Sequence, residues 1–211
     1  MLDCFSTQKG WFLNHFYLTG GTALSEFYLR HRFSEDLDFF SEQEFSLLPL
    51  QRLIKQLQNA MPDIQDVEFR EFMGIKTFFL SHGKDRLKID FNYYPFPILE
   101  KGVSFHRLRI DSALDIAVNK TQAILTQPRS RDFIDVYLAC TSFGWKFPDL
   151  INKARQKFDW YVDPLHVASR LLLVKELKDY PKMAVKVSEK EWQEFFLSEA
   201  EKLKPRIFST S

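Results

Sequence analysis

Residues 18–40 read LTGGTALSEFYLRHRFSEDLDFF. Asp36 and Asp38 stand two apart, with Leu37 between them and Phe39 and Phe40 after them. Alternate residues of a strand share a face, so both carboxylates turn one way while Leu37 turns into a core. Like charges held on one face repel, and a bound cation relieves that repulsion. Ahead of them HFYL is a compact apolar run, read as a strand, that ends at Gly20-Gly21. TALSEFYLRHR carries Leu24, Phe27 and Tyr28 at helical spacing, with Thr22 placed to cap the start. The glycines therefore fall at a strand-to-helix turn, where free backbone N–H groups and the helix dipole suit an anion.

The composition sets bounds on what surrounds this stretch. With 45% hydrophobic and 16% aromatic residues, including 22 Phe, the 211-residue chain can bury a dense core, and disorder is excluded. A net charge of +1 gives no general attraction to nucleic acid or membrane, so a polyanion would need a local patch. Cys4 and Cys140 form no CxxC pair and sit beside no histidine at ligand spacing, which excludes a zinc site and a disulfide framework and fits an intracellular protein. The N-terminal residues do not read as a signal peptide, and no apolar run reaches the roughly 18 residues of a membrane helix. The expected location is the cytoplasm, with no membrane partner.

Downstream, SLLPLQRLIKQLQNAM places Leu50, Leu53, Ile54 and Leu57 on one side of a helix. VEFREFM, IKTFFLS and RLKIDFNYY follow as strands, divided by Gly74 and by His82-Gly83-Lys84-Asp85, the pattern of a meander. From about residue 111 the character changes. DSALDIAVNKTQAIL, SRDFIDVYLAC, PDLINKARQKF, PLHVASRLLLVKEL and SEKEWQEFFLSEAEKL all read as helices separated by Pro- or Gly-containing turns. The expected fold class is α+β, a mixed sheet with flanking helices followed by a helical half, with a soft boundary near residue 110.

Asp90, in RLKIDFNYY, offers a third carboxylate if its strand lies beside that of Asp36 and Asp38. Three aspartates would then converge at one edge of the sheet. Aspartate oxygens, completed by water and phosphate, suit Mg²⁺, and a pair of such ions clamps both oxygens of a phosphoryl displacement. A D-h-D pair alone is most often a solvated strand face, and a Gly-Gly before a helix is most often only a turn. The conjunction, in the order strand, turn, helix, strand and later strand, favours nucleotidyl transfer from a metal-held NTP.

That arrangement resembles the DNA polymerase β-type nucleotidyltransferase superfamily. The fuller string FYLTGGTALSEFYLRHRFSEDLDFF is similar to one branch, the AbiEii/AbiGii-type nucleotidyltransferases of abortive-infection and toxin–antitoxin systems, and so is the Lys88-Ile89-Asp90 strand. Lys120 in ALDIAVNKTQAIL and Arg131, Asp132 and Asp135 in RSRDFIDVYL match its later motif, so the resemblance spans roughly residues 16 to 140. It implies a catalytic core over 1–110 and a helical region over 111–211 that completes the nucleotide site and binds acceptor. It implies Asp36, Asp38 and Asp90 as ligands of two Mg²⁺ ions, with Mn²⁺ as an alternative. Gly20, Gly21 and Thr22 would hold the triphosphate, and Lys120 would reach the nucleotide phosphates. Asp132 or Asp135 would orient that lysine or help deprotonate the acceptor, and Arg131, Arg32 and Ser34 would contact substrate.

For Arg131 to Asp135 a salt bridge competes with the functional role, and for Lys120 a solvated helix position does. His31 reads as a surface or loop residue. The chain is compact ahead of its first strand beside longer family members, which leaves acceptor and partner recognition open. The expected activity is transfer of an NMP from an NTP to RNA, such as a tRNA end, by the toxin of a pair with an antitoxin protein. Arg30, Arg32, Lys120, Arg129 and Arg131 favour the RNA backbone. A protein or small-molecule acceptor, and a non-catalytic nucleotide-binding module, are the alternatives.

Overall fold

A computed structural model describes residues 1–8 and 10–208. The chain divides into two compact units. The first comprises residues 1–23 and 35–112; the second comprises residues 24–34 and 113–211.

The first unit is built on a mixed seven-stranded sheet in the order β3-β4-β5-β2-β1-β7-β6. Its strands are β1 (Tyr17–Thr19), β2 (Asp36–Ser41), β3 (Asp66–Phe72), β4 (Ile75–His82), β5 (Asp85–Tyr93), β6 (Ser104–Phe105) and β7 (Leu108–Ile110). The meander expected from Gly74 and from the turn at His82–Asp85 is present as antiparallel β3-β4-β5. β2 then pairs parallel with β5 and antiparallel with β1. The carboxylate strand is thus central rather than at an edge.

Along β2 the side chains alternate, with Leu37, Phe39 and Ser41 buried and Asp36, Asp38 and Phe40 half-buried. On the buried face Phe39 and Phe91 stack at 5.4 Å, Phe5 lies 4.8 Å from Phe39, and Phe16 lies 5.3 Å from Phe91. Phe5 comes from helix α1 (Leu2–Ser6), and Phe12 of α2 (Trp11–His15) reaches the same cluster at 5.2 Å from Phe39. Each such ring removes well over 100 Å² from water, which is why a Phe-rich sequence can fix this half. Helix α3 (Gly20–Leu24) follows β1 directly and passes into a π-helical turn, Ser25–Leu29. Helix α4 (Leu47–Ala60) buries Leu50, Leu53, Ile54 and Leu57, as its spacing requires.

The second unit is helical: α5 (Ala113–Thr126), α6 (Ser130–Phe143), α7 (Phe147–Phe158), α8 (Pro164–Leu172), α9 (Glu189–Glu201) and the short α10 (Lys204–Phe208). Gly144 closes α6 in the left-handed conformation, and Asp163 caps α8 by accepting from the N–H groups of Leu165 and His166. Phe133, Phe147 and Phe196 meet edge-on at 4.8 and 5.2 Å. Cys4 and Cys140 are free thiols, and burial pushes the Cys140 thiol up to about 12, so it stays protonated and inert.

Candidate active site

In the first unit the acidic residues are set by strand register. Asp38 is the direct partner of Asp90 across the parallel β2–β5 pair, and Asp36 is the partner of Lys88. Register partners share a face, so Asp36, Asp38, Lys88 and Asp90 all lie on one side of the sheet. Asp90 is buried and held on both oxygens, by the Thr77 hydroxyl at 2.6 Å and by Lys88 Nζ at 2.5 Å. The lysine ammonium is the cation that balances this carboxylate. Among the described residues no group of three or more His, Cys, Asp and Glu side chains lies close enough to hold a metal ion. Asp38 and Asp90 are neighbours, whereas Asp36 is displaced one repeat along β2.

Gly20 closes one side of this face. Its φ of +73° is a conformation that L side chains rarely adopt, and a Cβ built on it would overlap the Asp38 carboxylate. The glycine is required twice over: the chain turns from strand to helix there, and Asp38 fills the space a side chain would take. Thr22 lies inside the helix rather than capping it. Its buried hydroxyl donates to the backbone carbonyl of Asp36, tying the turn to the start of β2. Carboxylate oxygens on adjacent central strands are hard donors of the kind a divalent cation takes, and the backbone N–H groups of the neighbouring glycine turn suit an anion.

The second unit contains a buried charge cluster. Lys120 of α5 places Nζ 2.9 Å from Asp132 Oδ1 and 2.8 Å from Asp135 Oδ2 of α6. Arg32 meets Asp135 as a fork, Nε at 2.7 Å from Oδ1 and Nη2 at 2.8 Å from Oδ2. His31 Nε2 lies 2.7 Å from the same Oδ1, and Arg129 Nε lies 3.2 Å from Asp132 Oδ2. Burial works to raise the Asp135 pKa, but the Lys120 cation, then the Arg32 and His31 hydrogen bonds, outweigh it and hold the carboxyl well below the usual range. Burial likewise opposes the Lys120 charge, yet Asp135 and Asp132 keep its pKa above the ordinary value.

His31 lies in a loop but not at the surface: it is 2% exposed and pinned to Asp135. Lys120 is not a solvated lysine, because its side chain is 10% exposed and fully paired. The basic partners of Asp132 are Lys120 and Arg129; Arg131 is half-buried on α6, and Ser34 is half-buried before Asp36. Arg32 and Lys120 are buried against carboxylates, whereas the Arg129 side chain stays half exposed. Sequence reading also missed a second buried pair, Lys157 Nζ to Asp115 Oδ1 at 2.7 Å, since nothing in the spacing of α5 and α7 announces it.

The profile of the family described as nucleotidyl transferase AbiEii toxin, Type IV toxin–antitoxin system, matches residues 10–206. The chain belongs to that family. The match takes in the C-terminal helices beyond residue 140, where the motifs end. An uncharacterized protein of Aquifex aeolicus (strain VF5) is 32% identical over 149 residues, 69% of this chain and 67% of that protein. Among solved structures, JHP933 from Helicobacter pylori is similar in fold, with a TM-score of 0.58 at 18% identity over 92% of this chain and 86% of that one. A second H. pylori crystal structure gives a TM-score of 0.55 at 15% identity, covering 93% and 89%. Membership of the AbiEii family makes this chain a nucleotidyltransferase of a toxin–antitoxin system. Among the described residues no helix is long and apolar enough to cross a membrane.

Proposed function

We propose that this nucleotidyltransferase is Mg²⁺-dependent and transfers an NMP from an NTP to an RNA end, with a tRNA as the first acceptor to test, under restraint by a cognate antitoxin protein. The observation that carries the reading is the pairing of Asp38 with Asp90 across parallel central strands, beside a glycine turn that only glycine can make. Asp36, Asp38 and Asp90 would hold the divalent ions, for which they offer only hard oxygen donors. When bound, such ions neutralise triphosphate charge and polarise the reacting phosphoryl group. Lys88 would then give up Asp90 to the stronger cation and turn to phosphate oxygen.

Gly20 and Gly21 would present backbone N–H groups to the triphosphate, and the close approach of Asp38 to Gly20 would set that triphosphate beside the carboxylates. The acceptor hydroxyl oxygen would attack the α-phosphorus and give its proton to solvent water, the bond from that phosphorus to the α,β-bridging oxygen would break, and pyrophosphate would leave. Lys120, Asp132, Asp135, Arg32 and His31 are assigned instead to holding residues 24–34 against α5 and α6, because each charge already has its partner within the second unit.

The test is thermal melting with each NTP, with and without Mg²⁺. Melting should rise only when both are present, by the equivalent of about 2.7 kcal/mol at a hundredfold excess over Kd, and Asp38→Asn should remove the rise. The absence of any Mg²⁺-dependent shift with all four NTPs would sink the reading.

A further inference from the structure

The face of β2 that carries Asp36 and Asp38 continues at Phe40. Tyr17, its register partner on β1, has its ring 6.2 Å away. On the other side Tyr94 lies 4.4 Å from Phe40, and Phe96 lies 4.9 Å from Tyr94. Tyr94 follows β5 directly, and its N–H donates to the Ser41 carbonyl at 2.7 Å, which fixes the row to the end of β2. Arg109, the register partner of Tyr17 on β7, places its guanidinium 5.6 Å from the Tyr17 ring centre. Beside Tyr17 and Arg109 opens a cavity of about 380 Å³ walled by residues 98–104.

Rings that serve only packing are buried, as Phe39 and Phe91 are on the opposite face of the same strands at 0% exposure. Phe40, Tyr94 and Phe96 are only half-buried, and Arg109 is exposed. The row therefore presents aromatic surface on the carboxylate side of the sheet. Phe40 stands about 7 Å along the strand from Asp38, the scale of one nucleoside.

We propose that Phe40, Tyr94 and Phe96 form a stacking surface for a nucleobase, with Arg109 pairing with the phosphate that accompanies it. This rests on the nucleotide reading of the acidic face. Aromatic faces stack on any base, and a neighbouring guanidinium adds charge pairing with phosphate, which is how sheet surfaces hold single-stranded nucleic acid. The base belongs either to the NTP or to the acceptor RNA; the chemistry is the same, and the two are separated by experiment.

The experiment uses two probes in Mg²⁺, 2-aminopurine ribonucleoside triphosphate and a short single-stranded RNA ending in 2-aminopurine, whose fluorescence is quenched on stacking. Wild-type protein should quench at least one of them. Phe40→Leu and Tyr94→Leu should weaken binding of that probe about tenfold, and Tyr94→Phe should retain it. Arg109→Gln, at an exposed position, should weaken the same probe and serves where a leucine variant does not fold. Quenching of the triphosphate assigns the base to the NTP, and quenching of the RNA assigns it to the acceptor. No quenching of either probe, or quenching undiminished in every variant but Tyr94→Phe, would overturn the proposal. Asp38→Asn, assayed for transfer in parallel, fails separately: full transfer by that variant would remove the metal assignment and leave the stacking result standing.

Discussion

A methyl group at Gly20 would meet the Asp38 carboxylate. Gly20→Ala therefore imposes both a left-handed backbone cost of about 1–2 kcal/mol and a displaced Asp38. Denaturant titration should show a loss of at least that size, together with weakened Mg²⁺–NTP binding; unchanged stability would mean the turn relaxes freely. At Lys120 the effect is larger, because Lys120→Met removes the cation shared by two buried carboxylates and leaves Asp132 to Arg129 and Asp135 to Arg32 and His31. A loss of about 3 kcal/mol is expected, and a loss under about 1 kcal/mol would show that solvent reaches the cluster.

The same cluster fixes a pH dependence. Asp135 is depressed in the folded protein, so its contribution is complete above the unfolded value of about 3.9 and is lost as pH falls from there toward the folded value. Lys120 is raised, so its contribution is complete below about 10.4 and is lost as pH rises through its folded value. Stability measured against pH should fall below pH 4 with a slope that is reduced in Asp135→Asn.

At the scale of elements, the β2–β5 pair sets the acidic face. Lys88 is the internal counter-ion of Asp90, so Lys88→Met should lower the melting temperature in EDTA by the equivalent of about 1 kcal/mol, and Mg²⁺ should restore it. No recovery with Mg²⁺ would argue against a divalent cation on this face. Much of this element structure was legible in the sequence. Period-two alternation marked β2, Gly74 and Gly83 marked the meander, and the spacing of Leu50, Leu53, Ile54 and Leu57 marked α4. Short strands β6 and β7, of two and three residues, carry too little periodicity to be seen. Thr22 was read as a cap because hydroxyls before helices usually cap; here the backbone of Asp36, fourteen residues on, is the partner that wins.

At the scale of the whole molecule, the change from sheet to helices near residue 111 was visible as a change of period. The membership of residues 24–34 in the helical unit was not. It depends on His31 and Arg32 reaching Asp135, contacts 104 and 103 residues apart in sequence, and no local pattern reports such a distance. The common face of Asp36, Asp38 and Asp90 was legible because strand alternation and the pairing of two acidic strands put them there. The cluster was half legible: Lys120, Asp132 and Asp135 stood out as a set, but their burial and their pairing with Arg32 and His31 did not.

The central claim is tested most directly by a transfer assay. Protein is incubated with each α-labelled NTP, Mg²⁺ and total cellular RNA, beside an Asp36→Asn/Asp38→Asn control. Label on a discrete RNA band, lost in the control and in EDTA, is the predicted result. Label on protein alone would contradict the acceptor, and equal labelling of RNA by the control would contradict the assignment of the acidic face as the site of chemistry.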